Sequence, residues 1–310
     1  MLGALGLVWL GVRDDRDPLP ARTKFLAQAA IVTGAVAYEG SLLYTLGELW
    51  PGIELRLAVL ALPFTVFAVL GLINAVNMLD GLDGLAGKVM LTAFGWLAAS
   101  MWTVGGSNRL AANLAVIGAL SVFLLFNARF PGRPRALVFM GDAGSMLLGY
   151  LVAIAAIEAT QRSAGIPPVT ALWICALPIL DTLSVVAQRI REGRPPLAAG
   201  RDHLHHLLRA HGLSVGKVTL TETVIAAALG LVGVAGWRKG VPDWIMFASF
   251  VAVGLAYQRG CRIAWLDLRA REAAVAVLVS AAIQPQLVPS QADAPRIAPL
   301  PAPAHPESQP

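Results

Sequence analysis

Residues 57–84 read LAVLALPFTVFAVLGLINAVNMLDGLDG, with no charged side chain before Asp80. About 20 apolar residues are what an α-helix needs to cross the roughly 30 Å hydrocarbon core of a bilayer. The same run turns polar at its end in a helical rhythm. Asn74, Asn77 and Asp80 follow i, i+3, i+6 and project from one face. Gly81 and Gly84 then loosen the backbone, so Asp80 and Asp83 are expected to line a polar pocket at the helix end. One segment therefore predicts both a membrane span and the place where its chemistry begins.

Outward from this run the pattern repeats. Apolar stretches of similar length cover 24–43, 56–78, 86–104, 110–127, 143–160, 168–187, 217–236 and 242–258. Residues 1–12 are apolar too, but twelve residues reach only about 18 Å as a helix. They read as the tail of a longer span, and neither a basic n-region nor a small-residue cleavage site marks them as a signal peptide. The composition agrees: 56% of the 310 residues are hydrophobic and 14% charged, against roughly 45–50% and 25% in soluble domains. A mean hydropathy of +0.66 argues against a soluble globular enzyme. Two cysteines, Cys175 and Cys261, give no disulfide scaffold, and no basic stripe interleaved with aromatics suggests nucleic acid. The expected fold class is all-α: a polytopic integral membrane helical bundle of about eight complete spans plus a truncated N-terminal one.

The net charge of +5 is unevenly placed. Assigning loops alternately to two sides puts 18 basic residues, not counting Arg296 in the tail, on the side holding 13–24, 79–88, 128–142, 188–217 and the segment after 258. The other side receives five: Arg56, Arg109, Arg162, Arg238 and Lys239. By the positive-inside rule the first side is cytoplasmic. Beyond the last span, 259–283 reads as a mildly amphipathic surface helix and 284–310 as a disordered tail rich in Pro, Ala and Gln. The expected organisation is thus a membrane domain over 1–258, a surface helix and a tail.

Acids are scarce, and those near apolar runs form three groups: Asp14-Asp15, Asp80 with Asp83, and the glycine-bracketed Asp142 in Gly141-Asp-Ala-Gly-Ser145. All five fall on the basic side. Hard carboxylate oxygens beside arginines and histidines suit a Mg²⁺–diphosphate site, since the metal and the cations both neutralise phosphate charge. The plainer reading, that each acid only caps a membrane helix, does not explain three clusters on one face. The longest basic-side loop adds Arg189 and then Arg201-Asp-His203-Leu-His205-His206. Zinc is the alternative for such histidines, but no Cys accompanies them and three His within four residues converge poorly on one metal. Phosphate or sugar contacts fit better. Asp181, about two turns before Arg189, is expected to orient an arginine or cap the pocket, while Glu222 reads as an interface residue. A transporter would place its binding groups near the midplane, not at one surface.

Taken in order, Asp14-Asp15, Asn74–Asn77–Asp80-Gly-Leu-Asp83-Gly, Gly141-Asp142-Ala-Gly-Ser145 and His203-Leu-His205-His206 resemble the motifs of the polyprenyl-phosphate N-acetylhexosamine-1-phosphate transferases. The resemblance covers about residues 5–265 and is nearest to the bacterial undecaprenyl-phosphate GlcNAc-1-phosphate transferase branch. It implies a Mg²⁺-dependent (or Mn²⁺-dependent) enzyme of the inner membrane with its active site facing the cytoplasm. Such an enzyme transfers GlcNAc-1-phosphate from UDP-GlcNAc to undecaprenyl phosphate, releases UMP and starts a lipid-linked envelope polysaccharide such as O antigen or common antigen. Membrane lipid is the other expected partner, and a homodimer is compatible. The same motifs admit another donor, of FucNAc, QuiNAc or MurNAc-pentapeptide type. By the same resemblance Asp142, with Asp14 or Asp15, would be a metal ligand and catalytic. Asp80 and Asp83 would also be catalytic, lining the nucleotide-sugar pocket with Asn77. Arg189, His203, His205 and His206 would hold phosphates or sugar. Two departures stand out: family members begin with further span upstream of the acidic pair, and Gly200 occupies the place of a usual Asp.

Overall fold

The structure is a computed structural model that describes residues 1–105, 107–161, 165–195 and 200–283. The expected tail at 284–310 and part of the loop before His203 lie outside the described residues. Eleven α-helices are described: α1 (Leu2–Arg16), α2 (Ala21–Glu39), α3 (Ala61–Leu79), α4 (Leu85–Thr103), α5 (Ser107–Asn127), α6 (Gly141–Gln161), α7 (Pro168–Ile174), α8 (Ala176–Arg191), α9 (Leu204–Ala210), α10 (Val215–Arg238) and α11 (Asp243–Ile283). Among the described residues there is no sheet, only three isolated antiparallel bridges, such as Thr45 with Arg56. The chain divides into two compact units, Met1–Trp265 and Leu266–Pro310. In the second, the described helical stretch carries an Arg271–Asp267 ion pair at 2.8 Å.

Each expected apolar run meets a helix, but they are not equally apolar. Among the described residues four are long and apolar enough to cross a membrane, Ala58–Leu79, Arg109–Asn127, Gly141–Gln161 and Val215–Arg238, or up to five with a bent pair. α2 and α4 are each 19 residues long, yet Lys24 in α2 and Lys88 in α4 put charged groups in their first turns, and Gln28 follows one turn after Lys24. The run 168–187 is not one straight span. It breaks at Cys175 into α7 and α8, bent by 77°. Pro178 explains the break, because it has no N–H for the Ile174 carbonyl and its ring crowds that position.

Helix α6 packs against α1 and α3, and α10 packs against α4 and α7. On α3 the fully buried Val69, Ile73 and Val76 recur at i, i+4, i+7 and form the inward stripe, while Phe67 points outward. Lipid solvates such outward apolar groups, so association rests on close packing of small residues rather than on hydrophobic burial. Gly149 of α6 shows this: a Cβ there would sit 2.6 Å from the Ile73 Cα. Gly11 brings α1 equally near, since a Cβ there would meet the Asp142 carbonyl carbon at 2.9 Å. That approach carries the acidic pair of α1 to the start of α6. At the other end of the bundle, Gln161 anchors the loop after α2 by accepting from the Tyr44 and Thr45 amides at 2.8 and 3.0 Å.

Candidate active site

The first turn of α6 has backbone N–H groups with no partner inside the helix. Asp15 supplies one, accepting from the Asp142 amide at 2.8 Å and from the Ala143 amide at 3.3 Å. Asp14 turns inward, is buried, and accepts from the Leu19 amide at 2.7 Å. Its other oxygen lies 2.9 Å from the Lys24 ammonium, which also pairs with Asp142. Burial alone would raise the Asp14 carboxyl. Hydrogen bonds shared with Asp142, Lys24 and the Leu19 amide outweigh it and hold the group at about 2. From α3, Asn77 donates to Asp142 Oδ1 and to Ser145 Oγ, both at 2.8 Å. One turn deeper Asn74 donates to Gln28 Oε1 at 3.1 Å. The asparagine face predicted from spacing thus exists, and it grips the acid of α6 and the polar side of α2.

Asp80 caps the end of α3, half-buried. Burial and the charges of Asp142, Asp15 and Asp83 push its carboxyl up to about 7. Asp83 faces away from that group: it pairs with Arg129 at 2.8 Å and accepts from the Ala136 amide at 3.2 Å. Asn127 ties the same two loops, accepting from the Gly84 amide at 3.0 Å and donating to the Val138 carbonyl at 2.8 Å.

The histidines reach this end at the start of α9, held by residues of α8. Arg189, buried, pairs with Asp202 at 3.0 Å, and Arg194 binds the same carboxylate at 2.6 Å. Burial opposes ionisation of Asp202, but the two arginines prevail and lower it. Asp181 does not orient Arg189 as the sequence suggested. Its oxygens face His203 Nδ1 at 2.7 Å, the Leu204 amide at 3.0 Å and the Tyr257 hydroxyl at 2.8 Å. The rings of His203 and His205 stack at 5.8 Å with 5° between planes, and His206 tilts over His205 at 4.1 Å. Burial, then the neighbouring His206, pushes His205 down to about 4. His205 meets the Asp80 loop edge-on: a Cβ at Gly81 would collide with its Nε2. Acids and histidines from five separate segments therefore share one end of the bundle.

A family model described as glycosyl transferase family 4 matches residues 1–160. Undecaprenyl-phosphate alpha-N-acetylglucosaminyl 1-phosphate transferases are similar along most of the chain. The Yersinia pestis protein is 35% identical over 261 residues, 84% of this chain and 71% of the relative. That of Escherichia coli K12 is 34% identical over the same shares, and that of Haemophilus influenzae is 34% identical over 84% and 73%. The chain belongs to glycosyl transferase family 4. The family match includes Asp14, Asp15, Asn77, Asp80, Asp83 and Asp142 and stops short of Arg189 and the histidines.

Among the described residues no group of three or more His, Cys, Asp or Glu side chains converges as a metal cage. What this glycosyl transferase family 4 chain offers is a pair of carboxylates, Asp14 and Asp142, meeting at one cation, the Lys24 ammonium. A partly exposed Asp142 with Asp14 buried beside it fits a hard divalent ion such as Mg²⁺, which keeps waters and takes substrate phosphates as ligands instead of a protein cage. The sequence leaves two participants, Lys24 and Asp202, and one further buried acid, Glu222, unmarked. Lys24 was only a loop charge, because nothing local tells that it spans to residue 142. Asp202 was read as part of the basic loop. Glu222 lies two turns inside α10, buried, with neither oxygen hydrogen-bonded among the described residues. An acid at that depth in an apolar run was the available signal.

Proposed function

We propose that this chain transfers GlcNAc-1-phosphate from UDP-GlcNAc to undecaprenyl phosphate, giving undecaprenyl-diphosphate-GlcNAc and UMP. The observation that carries this reading is the meeting of Asp14, Lys24, Asn77 and Asp142 with the histidine arm at one end of an apolar bundle. The names of the similar proteins specify the acceptor and the sugar. Asp142 and Asp14 would hold Mg²⁺ (or Mn²⁺), with Asp15 setting Asp142 through the start of α6. When bound, the metal supplies charge neutralisation on the diphosphate.

The chain's own groups do the rest. Lys24 stabilises charge on the diphosphate once substrate draws it from the carboxylates. Asn77 keeps Asp142 oriented, and its hydrogen bond requires the acid to stay an acceptor. Asp80 lines the nucleotide-sugar pocket, and Asp83, through Arg129, shapes its rim. Arg189, His203, His205 and His206 hold phosphate and sugar. A lipid phosphate oxygen attacks the sugar-bearing phosphorus, and the bond from that phosphorus to UMP breaks. A phosphomonoester, with its second pKa near 6, is already largely ionised at neutral pH, so alignment matters more than a base.

The membrane arrangement belongs to the same proposal. Residues 1–258 form the transferase domain with about eight spans in the inner membrane, its basic end in the cytoplasm where UDP-sugars are. Residues 259–283 lie at that surface. The 18-to-5 bias in basic residues supports this orientation.

Membranes carrying the chain, given undecaprenyl phosphate, Mg²⁺ and labelled UDP-GlcNAc, are expected to release UMP and to move label into the lipid phase. Asp142→Asn should lower that transfer by at least about 100-fold with membrane insertion intact. Absence of UMP release with any UDP-N-acetyl sugar refutes the reading. Transfer only from a FucNAc, QuiNAc or MurNAc-pentapeptide donor reassigns the sugar and keeps the chemistry.

A further inference from the structure

We infer that Asp181 is a positioning residue that fixes the ring of His203, and hence which of its nitrogens meets substrate. The inference rests on the transferase reading above. Asp181 and His203 are both buried, and what separates them is that the acid's oxygens are already taken, so Asp181 acts through the ring and not on substrate. Three donors from separate segments fill the carboxylate. His203 Nδ1 lies 2.7 Å from Oδ2, and Oδ1 accepts from the Leu204 amide at 3.0 Å and the Tyr257 hydroxyl at 2.8 Å. An ionised carboxylate only accepts, so Nδ1 carries the hydrogen, and in the neutral ring Nε2 is left bare. Among the described residues the protein gives Nε2 no hydrogen-bond partner. It is the ring atom left for phosphate or sugar.

The neighbourhood makes this more than a loop tether. His203 stacks flat on His205, which abuts Gly81 next to Asp80, so a rotation of the first ring passes directly to the acid end. Helix α8 holds the loop twice, through Asp181 to His203 and, two turns on, through Arg189 to Asp202. Only the first of these fixes a tautomer.

Asp181→Asn separates orientation from mere tethering. The amide oxygen can still accept from the Leu204 amide and Tyr257, which turns the NH₂ group toward Nδ1. His203 must then accept at Nδ1 and carry its hydrogen on Nε2, the reversed tautomer. The expected result is a kcat loss of about 10- to 100-fold with KM for UDP-GlcNAc nearly unchanged. In Asp181→Asn/His203→Ala the loss should be no greater than in His203→Ala alone, because Asp181 acts through that ring. An Asn variant with full kcat, or losses that multiply in the double variant, overturns the inference.

Nitrogen chemical shifts of the His203 imidazole in the unaltered protein provide a test independent of activity and of whether the variant folds. Hydrogen on Nδ1 at mildly alkaline pH is expected, and hydrogen on Nε2 overturns the assignment. If the unaltered protein transfers no sugar phosphate, the proposed function fails. The nitrogen shifts still judge Asp181.

Discussion

The cluster around Asp142 and the arm around His203 occupy the same end of the bundle but are held in different ways. Asp142 is oriented by side chains from three other segments, Asp15, Lys24 and Asn77, each contributing one or two contacts across a helix interface. His203 is oriented by one buried acid 22 residues away. The acid cluster therefore depends on how closely α1, α3 and α6 approach, and Gly11 and Gly149 set that distance. The arm depends on a local buttress and would survive small shifts of the helices. A partly exposed cluster whose carboxylates are paired with the Lys24 ammonium can give up that pairing to a metal and phosphate. A preformed, dry histidine stack is better suited to steady positioning.

The sharpest way to break this contrast is Asn77→Leu, which keeps the branched shape but removes both hydrogen bonds to α6. Asp142 then loses its orienting donor, and activity should fall about 10- to 100-fold. The Mg²⁺ concentration for half-maximal transfer should also rise. A magnesium titration of UMP release is the measurement. If neither rate nor metal demand changes, the acid cluster does not depend on α3.

Next in size is the junction between the regions. Gly81→Ala places a methyl group against His205 Nε2, a contact that only movement of the ring can relieve. About tenfold loss of transfer is expected, because displacement by a fraction of an ångström misaligns reacting groups. Gly71→Ala is the matched comparison, since nothing lies within 4 Å of its Cβ position, and it should leave activity unchanged. Equal behaviour of the two variants would mean that the histidine arm and the Asp80 loop work independently.

What could be read from the sequence follows the same division. Asn77 and Asp80 were legible because helical spacing alone puts them on one face, and Asp142 because glycines bracket it. The 18-to-5 charge bias puts all the acids at one end, and the contacts from Asp15 to Asp142 and from His205 to the Asp80 loop agree. Lys24 was illegible because its partner Asp142 is 118 residues away. The bend at Cys175 escaped a hydropathy reading, which registers apolar character but not Pro178. Hydropathy likewise treated all eight runs as equal spans, whereas the polar first turns of α2 and α4 set them apart from the four most apolar helices. Of the two roles the sequence leaves Asp181, orienting an arginine or capping the pocket, the first is not met, because tertiary packing turns it to His203 and not to Arg189 on its own helix.

The smallest expected effect concerns stability and distinguishes the two regions by sign. Burial and His206 hold His205 at about 4 in the folded chain, against 6.5 when exposed. His206 is lowered as well, by burial and then by His203 and Arg201. Between those values the unfolded chain binds the proton that the folded one refuses, so stability falls as pH drops below 6.5. Asp80, raised to about 7, acts oppositely: its folded form holds a proton that the unfolded one has lost, so acidification relieves it. Comparing the protein with His205→Gln cancels the Asp80 contribution, which both share. The stability advantage of the unaltered chain should shrink by up to about 2 kcal/mol between neutral pH and pH 5. Apparent Tm in detergent at the two pH values reads this directly. A constant difference would mean that His205 takes its proton as readily in the fold as outside it, which is incompatible with a dry histidine stack.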